Sequence, residues 1–159
     1  METLRALQDG AFSTWIRESD WAIFAFLIVH TLGMGMLVGT GVIVNLRILG
    51  AVPQLPLPRL ARLIPLMWLG LAVAICSGVL LVIGYPAKAL TNPWFYVKLT
   101  LLASAITITR IFAKRLFTDS VLDAPRWAKI AALACTVLYL GGLTAGKFLP
   151  YTNRVLLLY

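Results

Sequence analysis

His30 is the only histidine in 159 residues, and it lies inside an apolar run, Trp21 to Leu46, that carries no formal charge. An imidazole in such a run can ligate a haem iron or a metal ion, or hydrogen-bond the oxygen of a quinone. It can also donate to a neighbouring backbone carbonyl or to Ser104 and hold helices together. Both kinds of role stand open on the sequence. Met34 follows His30 at i+4, on the same helical face. With Cys76 it would complete a soft ligand set, His30, Met34 and Cys76, suited to Cu(I). A b-type haem asks for a second axial ligand on its opposite face. Met34 is on the same helix as His30, so two-histidine ligation would need a second copy of the chain across a two-fold axis.

His30 lies nine residues past Trp21, about 13 Å along a helix that rises ~1.5 Å per residue. An ionisable group at that depth in a bilayer is costly and marks a functional site. Counting inward from the same side on the other apolar runs reaches Cys76, Ser77, Thr100, Ser104 and Tyr139. His30, Met34, Ser104, Tyr139 and Lys98 are therefore the candidate cofactor-binding residues, for haem b, copper or a quinone. Lys98 is expected to snorkel to the headgroups, and its second reading is a counter-charge for an anionic headgroup or a quinone oxygen. The stretch Gly33 to Gly41 carries Gly35 and Gly39 as a GxxxG pair, expected to pack within the monomer ahead of serving a dimer.

These residues need a membrane to position them. Hydrophobic residues make up 60 % of the chain and charged residues 13 %, about half the ~25 % of soluble domains. So few charges could not cover a soluble surface of this size, whereas lipid solvates apolar side chains. The runs are about 21–46, 63–83, 93–111 and 130–148, each near the ~20 residues that cross a bilayer as helix. Short connections force antiparallel neighbours. The expected fold is all-α, an integral membrane four-helix up-down bundle forming one domain.

Local signals bound the elements. Ser19 and Asp20 offer an N-cap to the first span, and Asn92 with Pro93 offers one to the third. Pro65 falls in the first turn of the second span, where a missing N–H costs little. Pro53, Pro56 and Pro58 predict an extended loop over 51–58, and Gly84-Tyr85-Pro86 predicts the end of the second span. Leu4, Leu7, Ala11, Phe12, Trp15 and Ile16 recur at helical spacing, which predicts an N-terminal interfacial amphipathic helix over 2–17. The first 20 residues carry Glu2, Asp9, Glu18 and Asp20 and have no apolar core, so a cleavable signal peptide is not expected there. Val155 to Tyr159 is apolar but too short to cross, and is expected at the interface.

The net charge of +8 sits mostly between the apolar runs, where it meets lipid headgroups and not nucleic acid. Arg47, Arg59, Arg62, Arg110, Lys114, Arg115, Arg126 and Lys129 flank one side; Arg5, Arg17, Lys88, Lys98, Lys147 and Arg154 belong to the other. The positive-inside rule then puts both termini outside the cytoplasm, on the periplasmic side of a bacterial inner membrane. No GxSxG, HExxH, Walker A or GxGxxG occurs, and no carboxylate pair lies in a span, so hydrolytic catalysis is not expected.

Four short stretches carry a resemblance. They are Trp15-Ile16-Arg17-Glu18-Ser19, His30-Thr31-Leu32-Gly33, Asn45-Leu46-Arg47-Ile48-Leu49-Gly50 and Asn92-Pro93-Trp94-Phe95-Tyr96-Val97-Lys98-Leu99. Together they resemble an uncharacterised bacterial family of small four-helix membrane proteins, a domain of unknown function. That resemblance implies the fold and no activity. More distantly, a first-span His followed by Gly is similar to membrane proteins of the copper-resistance D type. Such relatives carry a further histidine near the end of the third span, where this chain reads Thr107-Ile108-Thr109-Arg110. The functions in view are a membrane binding or redox module, a copper-handling protein, or an anchor subunit. The partners in view are the lipid bilayer and either a homo-oligomer or a larger membrane complex.

Overall fold

A computed structural model describes residues 9–19, 21–116 and 125–156. Among the described residues every regular element is helical: α1 Ala11–Glu18, α2 Ala22–Leu49, α3 Leu57–Ala61, α4 Ile64–Gly84, α5 Pro86–Leu90, α6 Pro93–Leu116 and α7 Arg126–Leu156. Four of these, α2, α4, α6 and α7, are long and apolar enough to cross a membrane. The chain is an all-α, multi-pass four-helix membrane protein. Below, the near side is where α2 begins and the far side where it ends.

Lipid contact explains which residues face outward. Leu32 is 62 % exposed, Val137 62 % and Ile130 70 %. Large apolar side chains so exposed along every span would make a soluble protein aggregate, but they are what hydrocarbon solvates. The interior holds Met34, Leu37, Val38, Met67, Ala74, Leu102, Ala105, Cys135 and Tyr139. A second layer on the far side holds Val44, Ile48, Leu60, Ala128 and Ala132. Lipid tails compete for apolar contact, so close packing and hydrogen bonds set the assembly.

Glycine sets the closest crossing. A Cβ built on Gly33 would lie 2.7 Å from Ala74 N and 2.9 Å from Gly70 O; one on Gly70 would lie 2.8 Å from Gly33 O. Backbones of α2 and α4 therefore touch, which only glycine permits at both positions. Gly35 and Gly39, the expected packing pair, are exposed, and a Cβ on either would meet nothing within 4 Å among the described residues. On the other half, Leu102 and Lys98 of α6 lie over Gly142 and Gly146 of α7, four residues apart on each helix in antiparallel register. Packing runs in the series α4, α2, α7, α6; the two ends of that series, α4 and α6, share no extensive interface.

The ends differ in places from the local signals. The N-cap position of α2 is Trp21, with no side-chain cap among the described residues; Asp20 lies outside them. Asn92 does cap α6: its Oδ1 accepts from Trp94 N at 3.0 Å, while its Nδ2 donates to Leu149 O at 3.1 Å and ties α7 to the same turn. Pro65 lies in the first turn of α4. Gly50 closes α2 in the left-handed conformation (φ 84°), and Gly50 N and Ala51 N donate to Arg47 O and Leu46 O. The proline-rich stretch is only partly extended, because Pro56 and Pro58 flank the start of α3. Pro86 likewise starts α5 after α4 has ended. The fourth span ends at Leu149, close to the expected 148, and its helix α7 runs on beyond it to Leu156.

α1 is the described part of the interfacial helix; residues 2–8 lie outside the described ones. It docks on the near end of α4, where Ser13 Oγ donates to Ile83 O at 2.8 Å and buried Ile16 packs on Gly84. Phe12 and Trp15 stack on its outer face and stay exposed, as suits a helix lying in the headgroup zone.

Candidate functional site

The site is a consequence of the Gly33–Gly70 crossing. His30 is one turn before Gly33, and Ala74 is one turn after Gly70. With the backbones in contact, the imidazole meets the α4 main chain: His30 Nδ1 is 3.0 Å from Ala74 O and 3.2 Å from Ser77 Oγ. A carbonyl only accepts, so Nδ1 carries the proton and Nε2 is the acceptor. Ser77 Oγ donates to Val73 O at 2.6 Å, which turns its lone pair toward Nδ1. Gly78 leaves room for the ring; a Cβ there would lie 3.2 Å from His30 Cε1.

Lys98 completes the arrangement from the opposite half of the bundle. Its Nζ donates to His30 Nε2 at 3.1 Å, and its stem lies across Gly146. Lys98 therefore turns inward and does not snorkel to the headgroups. The fit is metric: His30 is eight residues into α2 and Lys98 five into α6. That leaves about 4.5 Å of depth to cover at ~1.5 Å per residue, within reach of a lysine stem. All four spans contribute, α2 the imidazole, α4 the carbonyl and hydroxyl, α6 the amine and α7 the glycine floor. Both side chains remain partly exposed. They join α2 to α6 across the bundle.

The other candidates lie apart from this pair. Met34 is buried in the apolar interior. Cys76 is exposed, one residue and about 100° of helix rotation from buried Ser77. Ser104 is exposed toward lipid, and Thr100 bonds its own helix at Tyr96 O. Tyr139 is fully buried in a separate polar cluster: its hydroxyl is 3.0 Å from Thr109 Oγ1, which is itself 2.9 Å from Ala105 O and 3.3 Å from Cys135 Sγ.

These positions decide which chemistry fits. Both imidazole nitrogens are already engaged, so a metal or haem iron at Nε2 would have to displace Lys98. Cys76 faces away, and among the described residues no three His, Cys, Asp or Glu side chains come together. The residues do not fit a Cu(I) site, nor an intramolecular haem site. They fit a ligand that accepts hydrogen bonds: Lys98 has three N–H donors and His30 uses one. Sequence reasoning found His30, Lys98 and the depth of Ser77 but not their union. The available signal was that His30 and Lys98 are ionisable groups at similar depth, counted from one side. No family model, no curated protein and no solved structure matches the chain.

Proposed function

We propose that the protein is a membrane-embedded binding module. Its ligand is a lipid-soluble molecule with an oxygen acceptor, of the quinone class, held by Lys98 beside His30. The observation that carries this reading is the contact of Lys98 Nζ with His30 Nε2 in spans that contain no Asp or Glu. An amine at depth is costly and is ordinarily offset by a carboxylate. Here the ammonium donates to a neutral imidazole instead, which leaves two N–H donors available to an incoming oxygen. A bond needed only for helix packing is made at lower cost by Ser, Thr or Asn. Both side chains are partly exposed, so a ligand dissolved in the lipid can reach them.

The protein belongs, on this reading, in a bacterial inner membrane with both termini outside, as the distribution of basic residues favours. The test is titration of bilayer-nanodisc protein with a short-chain benzoquinone, followed by tryptophan quenching. A charge-assisted hydrogen bond contributes about 1.5–3 kcal/mol, so Lys98→Met should weaken saturable binding by roughly 10- to 150-fold. Absence of saturable binding in the unaltered protein, or equal binding in Lys98→Met, rejects the reading. A second reading, an anchor subunit or homo-oligomer, is favoured by Gly35 and Gly39, whose small faces meet nothing within 4 Å among the described residues. Loss of a defined oligomer in a Gly35→Leu, Gly39→Leu variant supports it, and an unaltered monomer removes it.

A further inference from the structure

A second polar site lies on the far side of the bundle and rests on a different observation. Asn45 is completely buried, and among the described residues neither its Nδ2 nor its Oδ1 has a hydrogen-bond partner. Buried side-chain amides are almost always partnered, by protein or by an ordered water. The position of Asn45 says what is nearby. It is one turn beyond Gly41, and the Tyr139 ring lies against Gly41; a Cβ there would come within 2.5 Å of the ring and 3.1 Å of its hydroxyl. Val44, just before Asn45, and Ile48, about one turn beyond it, pack with Ala128 and Ala132. α2 and α7 are antiparallel, so Asn45 falls between those two levels, opposite the turn of α7 that holds Cys135.

The donors in that turn can be counted. Thr109 Oγ1 donates to Ala105 O, so the Tyr139 hydroxyl donates to Thr109 Oγ1. Cys135 Sγ donates to Ala105 O at 3.3 Å. The Tyr139 oxygen keeps its lone pairs, and Asn45 offers two N–H groups and a carbonyl. One molecule that both donates and accepts would join them. We infer that Asn45 and Tyr139 form an internal site for one water-sized hydrogen-bonding molecule, which is water in the bilayer-embedded protein. Met34, Leu37 and Val38 separate it from His30, so the interior stripe of α2 carries a polar station in each leaflet with an apolar layer between.

The experiment is water-edited solid-state NMR on bilayer-reconstituted protein with labelled asparagine. Asn92 and Asn153 are assigned by substitution. Magnetisation should pass from water to the Asn45 side-chain amide, and Tyr139→Phe should reduce that transfer several-fold. No transfer to Asn45 in the unaltered protein overturns the proposal. A second measurement uses Asn45→Leu, close in volume and apolar. If the amide merely lacks a partner, removing it raises the melting temperature or leaves it unchanged, and either result overturns the proposal. If the amide holds the water, the variant melts several degrees lower, and adding Tyr139→Phe lowers it by less than the sum of the two.

Discussion

Removing Lys98 and His30 singly and together isolates the bond between them. Lys98→Met retains the unbranched stem over Gly146 and deletes the amine; His30→Leu deletes the acceptor. The single variants mix opposing effects. Lys98→Met leaves Nε2 without a donor, a cost of about 1–3 kcal/mol. It also relieves the bilayer of a cation whose insertion costs about 2.5–3.5 kcal/mol at mid-span, and less near a helix start. Their difference is small and of either sign, so neither single variant is informative alone. The double-mutant cycle cancels the desolvation terms and leaves the coupling. Interhelical hydrogen bonds in membranes couple by about 0.6 kcal/mol on average and up to ~1.7 kcal/mol. At 3.1 Å and with a charged donor, this pair belongs at the upper end, about 1–2 kcal/mol. The assay is reversible unfolding in bicelles titrated with a denaturing detergent. Additivity within about 0.5 kcal/mol would refute the argument that the bond joins the two halves of the bundle.

Gly33→Ala and Gly70→Ala each force a methyl into backbone of the partner helix and should destabilise by about 1–3 kcal/mol, whereas Gly35→Ala and Gly39→Ala meet open space and should stay within ~0.5 kcal/mol in the monomer. The same unfolding assay separates the two pairs. Gly78→Val presses on the His30 ring, where even a Cβ would lie 3.2 Å from Cε1, and should weaken benzoquinone binding about tenfold while helical circular dichroism is retained. Asn92→Ala removes the α6 cap and the tie to Leu149 O together and should cost about 1–2 kcal/mol, read as faster deuterium exchange at the near ends of α6 and α7.

What could be read directly from the residues was depth and number. Four apolar stretches of spanning length, the cap at Asn92 and the level of His30 all follow from position along the chain. A helix converts residue number into distance at a constant rate, and the bilayer selects by hydropathy. Rotation about each helix axis was not legible in the same way. A span that is apolar on every side has no polar face to show which way it turns.

Tertiary packing supplied that rotation. It put Ser77 beside His30 and left Cys76 in lipid, though the two are adjacent in the chain. It turned Lys98 inward over Gly146, because a glycine floor and an imidazole acceptor lay within reach of its stem. It also chose Gly33 and Gly70 over Gly35 and Gly39 for the crossing. The sequence by itself determined that the chain carries four helices of membrane-spanning length and where along them His30 and Lys98 stand. Only the assembled bundle decided which of them touch, since close approach depends on the facing surface of a neighbouring helix and not on the periodicity of one.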